Sequence, residues 1–421
     1  MLDSEKMAVD YFARTEPVAE LLDLGQQPVS NRFLKNPQEN EYLYPMKLNL
    51  CEATGLIQIN DPVPAAELAP RYDWITYNEP EGHLDDLVEN IIALSGLNNN
   101  AKIGGISFKD DTTLERFNKK GFKHTWRIDP KEDLGIEQPG IGIETIQAYL
   151  TADNLSKIIG RRGKSDILIV RHILEHAHDP VQLLEVLKGL TTPNGYIVFE
   201  VPDCMQALEI CDYTTIWEEH TIYFTPATFR NCFSYSRLSL KWYRNYPYPF
   251  ENSLIAIVQS DENIQPVSLG GEILQSEILR ARNFAKNLEI YKEKLQKFFK
   301  EFKEQNGKIA LFGAGHLACT FVNILDIKDY IECVVDDHPQ KKGLFMPGSK
   351  LEIRGSQVLL EKNIKLCLLS LNPLSEKKVI ANNQSFVRQG GEFASIFGGS
   401  SCALEILRSN SLPERKGRTS C

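Results

Sequence analysis

The fold is decided by DILIVRHILEHAHDPVQLLEVLKGLTTPNGYIVFEVPDC, residues 166–204, and by WEEHTIYFTP, residues 217–226. An apolar run, DILIV, stops at Arg171-His172. A helical stretch carrying Glu175, His176 and Asp179 follows. After the turn Pro193-Asn194-Gly195 a second apolar run, YIVFEV, stops at Pro202-Asp203. Short apolar runs bounded by polar clusters read as buried strands. In open α/β sheets, ligands sit where such strands end. His176 and His220 both follow strand ends, an enzyme's layout more than a scaffold's.

Working outward, strands and helices alternate. AKIGGISF (101–108) reads as a strand entering a loop, and DDTTLERFNKKG (110–121) as a helix that starts near Asp111 or Thr112, with Gly121 after its end. KHTWRID (123–129) is a further strand, and NSLIAIVQS (252–260) closes the unit. Residues 82–96 carry apolar positions at helical spacing. The alternation predicts an α/β fold, a mostly parallel sheet covered on both faces. Residues 272–305 form a long charged helix with an apolar stripe at Ile273, Leu279, Phe284, Leu288, Tyr291, Leu295, Phe298 and Phe302. The stripe suits packing along a domain, or a coiled-coil homodimer. KIALFGAG (308–315), HLACTFVNIL (316–325) and IECVVDD (331–337) open a second Rossmann-like unit. The expected division is a loop-rich N-terminal module at 1–80, a central α/β domain at 81–265, a linking helix at 266–306, a C-terminal α/β domain at 307–405 and a tail at 406–421.

Composition narrows the function. The chain has 421 residues, 42% of them hydrophobic and 24% charged, and a net charge of -9. With no basic tail or basic-aromatic stripe, nucleic acid is not the expected partner. No apolar run approaches the roughly 18 residues of a membrane span. The acidic N-terminus does not suit a secretory signal. Nine cysteines include no CxxC pair, which suggests reduced thiols and a cytoplasmic protein.

Four groups of residues can carry chemistry. The first is the Gly104-Gly105 loop, with Asp129 about 20 residues on, where an acid can accept both ribose hydroxyls of an adenosine cofactor. The alternative is an ordinary strand-loop-helix turn. The second is Glu175-His176 with Asp179-Pro180, otherwise a capped helix start. The third is Glu218-Glu219-His220 with Tyr223. A carboxylate beside a histidine can orient it and raise its basicity. Trp217 and Tyr223 would flank a flat or ring-shaped substrate; the alternative is a surface loop. The fourth is Gly313-Ala314-Gly315-His316-Leu317-Ala318 with Asp336-Asp337, a dinucleotide fingerprint. Its plainer reading is close helix-strand packing.

RHILEHAHDP, GYIVFEVP and EEHTIYFTPATF together resemble the class I S-adenosylmethionine-dependent methyltransferases. From about residue 18 to about 398 the chain resembles the three-domain sugar C-methyltransferases. LLDLGQQPVSNRFL and YPMKLNLCEATGLIQI are similar to that family's N-terminal zinc module. EEHTIYF is similar to its E-H-x-x-Y-F segment, and IALFGAGHLACTFVNIL with VVDDHPQKKGLFMPGSKLEI to its C-terminal domain. The resemblance implies methyl transfer from S-adenosylmethionine to a carbon of a keto-sugar nucleotide. It makes Glu219 and His220 the catalytic pair and His176 a substrate-site histidine. Asp129 would hold the cofactor ribose, and Gly104, Gly105 and Arg171 would complete the cofactor site. Tyr77, Trp217 and Tyr223 would line the acceptor.

The chain also departs from that family. Of four zinc cysteines only Cys51 is present, with Thr54 where its CxxC partner would fall, so no zinc is expected. The glycine loop is two residues longer, and Thr112 stands where a glycine is expected. A catalytic tyrosine is replaced by Trp217. Three rival readings follow: a different glycan or small-metabolite acceptor, a non-catalytic binding protein, or a dehydrogenase using the Gly313 loop. The polar tail is expected to be loose.

Overall fold

β-branched and aromatic residues fit a pleated, half-buried surface, and the apolar runs become strands accordingly. The computed structural model describes residues 8–72, 80–137 and 142–408. The chain folds as two units, Met1–Gly25, Met46–Met205 and Glu218–Ala281 in the first, Gln26–Pro45, Gln206–Trp217 and Arg282–Cys421 in the second.

The first strands in chain order are β1 (Ala19–Pro28), β2 (Leu43–Leu50) and β3 (Ile57–Gln58). The first unit then builds β4 (Lys102–Gly105), β5 (His124–Arg127), β6 (Ser165–Arg171) and β7 (Thr191–Asp203). The short β8 (Ile222–Tyr223) returns to pair antiparallel with β3, and β9 (Leu238–Tyr246) and β10 (Asn252–Ser260) complete the set. The central sheet has six strands in the order β5-β4-β6-β7-β10-β9. β5, β4, β6 and β7 are mutually parallel, and β10 runs antiparallel to β7 and β9.

The middles of β6 (Ile167–Val170) and β7 (Tyr196–Phe199) are apolar because both faces of the sheet are covered. Side chains alternate between the faces. Leu168, Val170, Ile197, Phe199 and Val201 join one core with Phe229 and Phe233 of the helix Pro226–Tyr235. Ile167, Ile169 and Val198 join the other, with Leu87, Ile91 and Phe117 from the helices Leu84–Ile92 and Asp111–Lys119. Each such side chain contributes about 1.5–3 kcal/mol by leaving water. The helix Pro226–Tyr235 begins with a capping box, Thr225 and Thr228, and a proline in its first turn.

In the second unit β11 (Lys308–Phe312), β12 (Ile331–Val335), β13 (Ile353–Arg354), β14 (Ile364–Leu369) and β15 (Glu392–Ser395) form a parallel five-stranded sheet ordered β13-β12-β11-β14-β15. Residues 26–45 attach to it through reciprocal backbone bonds between Leu34 and Phe345, at 2.9 and 2.8 Å. The long helix is Gly271–Gln305, and its stripe differs from the expected one. Ile278, Ala281, Phe284, Leu288, Leu295 and Phe299 are buried, while Ile273 and Leu279 are about half exposed. The buried positions recur at three, four and seven residues; Phe284, Leu288 and Leu295 are those expected, and Ile278, Ala281 and Phe299 are additional. Phe299 meets Tyr330, and Gln296 donates to the Leu325 and Asp326 carbonyls, which gives the stripe partners within the chain.

Candidate active site

β6 ends at Arg171, and the chain turns there through His172, whose φ of 52° is unusual for a residue with a side chain. A single 3-10 turn, Leu174–His176, follows. It buries Glu175 completely and His176 almost so. The segment 217–226 crosses beside this turn. Thr221 N donates to Glu175 O at 2.7 Å, and Thr221 Oγ1 donates to the Glu175 and Ala177 carbonyls at 3.1 and 2.8 Å. Pairing of Tyr223 with Ile57 fixes the far side of the same segment. His220 is thereby held against His176, ring centroids 4.7 Å apart and planes at 86°. One ligand-type atom from each of Glu175, His176 and His220 lies within 4.8 Å of the others. Tyr223 faces His220 edge-on at 6.4 Å. Glu218 and Glu219 are both buried. Two histidines, a buried carboxyl and neighbouring acids at a strand end can take a proton and hold a developing oxyanion. The same three residues have the donor types of a divalent cation site.

Beneath this group lies a buried charge network. β6 and β7 pair so that Arg171 stands opposite Glu200. Arg171 Nε is bonded to Glu200 Oε2, and its Nη1 to the Lys109 carbonyl. His83 Nε2 lies 3.1 Å and His172 Nε2 3.4 Å from Glu200 Oε1. Burial by itself would raise the Glu200 carboxyl, but Arg171, His172 and His83 outweigh it and hold the group well below the usual carboxylate range. Asp110 accepts from the amides of Ile106, Ser107 and Arg171 at 2.7, 2.9 and 3.0 Å. Its burial still pushes it up to about 7, against the pull of those bonds and of Arg171.

The expected cofactor residues have specific surroundings. At Gly104 a Cβ would lie 2.7 Å from Ser165 Oγ and 2.8 Å from the Trp126 ring; at Gly105 it would lie 3.0 Å from Asp110 Cβ. Both glycines therefore make room for protein side chains. Arg171 is 1% exposed and engaged by Glu200. Asp129 is exposed at the end of β5, and its Oδ1 caps the helix Pro130–Leu134 by accepting from Glu132 N at 2.9 Å. Tyr77 lies outside the described residues. Trp217 belongs to the second unit, where its indole stacks on His316 at 4.4 Å and donates to Ser30 Oγ at 3.1 Å.

The Gly313 loop is tied to itself. Asp336 Oδ2 accepts from Ala314 N at 3.0 Å and from Lys341 Nζ at 2.9 Å. A Cβ at Gly313, where φ is 107°, would meet Leu371 Cδ2 at 2.6 Å. The acid that a dinucleotide ribose would need thus serves the loop's own amide, in keeping with the packing reading.

Sequence reasoning gave no role to Glu200, His83 or Asp110. Glu200 had a visible signal, a carboxyl inside the apolar run YIVFEV. His83 had none, because its partner is 117 positions away in the chain.

Residues 273–397 match the family described as "C-methyltransferase C-terminal domain", and residues 12–68 match "Putative zinc binding domain". A curated relative, C-methyltransferase NovU of Streptomyces niveus, is 21% identical over 391 residues, covering 89% of this chain and 91% of that protein. The chain thus carries the C-terminal domain of the C-methyltransferases and is similar to one of them along 89% of its length. Among solved structures, an O-methyltransferase family protein of Burkholderia thailandensis covers 42% of this chain and 56% of its own, at 13% identity and a TM-score of 0.28. The 1,6-didemethyltoxoflavin-N1-methyltransferase of the same organism covers 42% and 78%, at 10% identity and a TM-score of 0.27. Similarities at these TM-scores carry no argument about the site.

For this C-methyltransferase the cofactor fits the residues in part. Asp129 is exposed at the strand end where a ribose-binding acid belongs, and it is the residue that would hold the ribose. Gly104, Gly105 and Arg171 are occupied by protein contacts. Zinc stands otherwise. The match over 12–68 leaves the expected absence of zinc unsupported, and the one group with metal-ligand geometry among the described residues is Glu175, His176 and His220. Among those residues no helix is long and apolar enough to cross a membrane.

Proposed function

We propose that this C-methyltransferase methylates a carbon next to the carbonyl of a keto-sugar nucleotide, with His220 as the base. The observation that carries this reading is the edge-to-face pair of His176 and His220 above the buried Glu175. S-adenosylmethionine, when bound, supplies an electrophilic methyl group. His220 removes the proton next to the keto group, and Glu219, its chain neighbour, supports the imidazole. The acceptor is left as an enolate whose charge gathers on oxygen. His176 holds that oxygen, which is where preorganised donors contribute most. Tyr223 closes the wall beside His220, and Asp129 is the ribose contact. Glu175, held by His172 Nδ1 at 3.2 Å, lies beside the two histidines. Tyr77 is a further acceptor contact on the family resemblance.

The acceptor's nature rests on the family resemblance, and a different glycan precursor or small metabolite is the second reading. The reduced cysteines support a cytoplasmic enzyme. All eight described cysteines are free thiols.

The test has two stages. Calorimetric titration with S-adenosylhomocysteine should give micromolar binding that Asp129→Ala weakens at least tenfold. Methyl transfer to keto-sugar nucleotides should then be lost in His220→Ala with cofactor binding intact. Binding without turnover on any keto-sugar would favour the second reading, and no binding at all would overturn both.

A further inference from the structure

The match of residues 12–68 to a zinc-binding family meets a donor set that does not fit structural zinc. Such sites take four thiolate or imidazole ligands. Residues 8–72 contain one cysteine, Cys51, and no histidine. Their local geometry nevertheless has the form of a metal-binding pair of turns. In the first turn Asp10 Oδ1 accepts from Phe12 N and Ala13 N, both at 2.8 Å. In the second, Cys51 N donates to Leu56 O at 3.0 Å, with Thr54 three positions after the cysteine. In the first turn Asp10 gathers the amides two and three positions on, as a turn does to stabilise an anionic group. Gly55 closes the second turn with φ at 75° and its amide on Cys51 O at 2.8 Å.

The two turns meet through a hydroxyl. Thr54 Oγ1 donates to Asp10 Oδ2 at 2.6 Å and accepts from Leu56 N at 3.3 Å. Asp10 and Cys51 are fully buried and Thr54 nearly so. Gln58 ties the first turn to β3, its Oε1 accepting from Tyr11 N at 3.0 Å and its Nε2 donating to Val9 O at 2.9 Å. We propose that the Thr54-to-Asp10 hydrogen bond fastens the N-terminal module in place of a metal ion, so that the module folds without zinc. Zinc in such a site neutralises a ring of thiolates and is held by them. Here one carboxyl already takes three donors, and residues 8–72 supply one thiol where a structural site needs several.

The experiment uses the full chain from zinc-supplemented growth, with metal counted by mass spectrometry and melting followed with and without EDTA. Zinc is counted in both wild type and His220→Ala, since the latter removes the Glu175–His176–His220 group as a source. The expected result for His220→Ala is well under one-tenth of a zinc per chain and an unchanged Tm in EDTA. Thr54→Val should lower Tm by roughly 3–6 °C. Asp10→Cys/Ala13→Cys/Thr54→Cys should take up one zinc per chain and melt lower in EDTA. Should that variant fail to fold, the count in His220→Ala still decides. Near-stoichiometric zinc there, removed by EDTA with a fall in Tm, overturns the proposal. So does a Thr54→Val protein that melts like wild type.

Discussion

At the scale of the residue, Arg171 and Glu200 make the sharpest claim. Both are buried, and each holds the other in its charged form. Arg171→Ala leaves an uncompensated buried carboxylate, which should cost about 3–5 kcal/mol in urea unfolding. The pH dependence follows from the sign of the shift. In the wild type Glu200 is held low, so its stabilisation is present above the ordinary carboxylate range and is lost only as pH falls through its depressed value. Without Arg171, burial dominates and the carboxyl rises. The penalty in Arg171→Ala should then be largest near pH 8 and shrink toward pH 5, read as a narrowing gap between the two unfolding curves. A gap constant across that range would mean that Glu200 does not sense Arg171. His220 belongs to the same scale. His220→Ala should lower kcat by about 10²–10⁴, the usual contribution of a positioned base, with cofactor affinity unchanged.

At the scale of the element, the site depends on how one short segment is pinned. Residues 217–226 contain only a two-residue strand, too short to hold a histidine by itself. Thr221 supplies the grip through its bonds to the Glu175 and Ala177 carbonyls. Thr221→Val keeps shape and burial but removes both hydroxyl bonds. It should cost about 1–2 kcal/mol of stability and lower kcat more than it raises KM. Equal changes in kcat and KM would show that the segment keeps its place without the hydroxyl. Elements were the most legible part of the sequence. NSLIAIVQS is β10 from end to end, and DDTTLERFNKKG contains the helix Asp111–Lys119. The long helix kept its extent and the middle of its stripe, Phe284, Leu288 and Leu295. Phe299, buried in place of Phe298, is selected by packed neighbours, Tyr330 among them.

At the scale of the whole molecule, ligand linkage gives a test that ignores every local assignment. S-adenosylhomocysteine at a hundredfold excess over its Kd should stabilise the native chain by about 2.7 kcal/mol and raise its Tm. NAD should leave it unchanged, because Asp336 already serves Ala314 and Lys341. A shift with NAD alone would reassign the cofactor to the second unit. Strand-helix alternation was enough to determine an α/β fold with a second α/β unit, since period and propensity act within short windows of chain, while the methyltransferase reading came from the family resemblance. The same alternation also placed His176 shortly after a strand end. The tertiary structure decided the rest. It set His176 against His220, put Arg171 opposite Glu200, gave Glu200 a distant partner in His83, and joined Asp10 to Thr54 across 44 positions. Those pairings are between groups far apart in the chain, and buried polar groups take whichever partner the packed elements bring within reach.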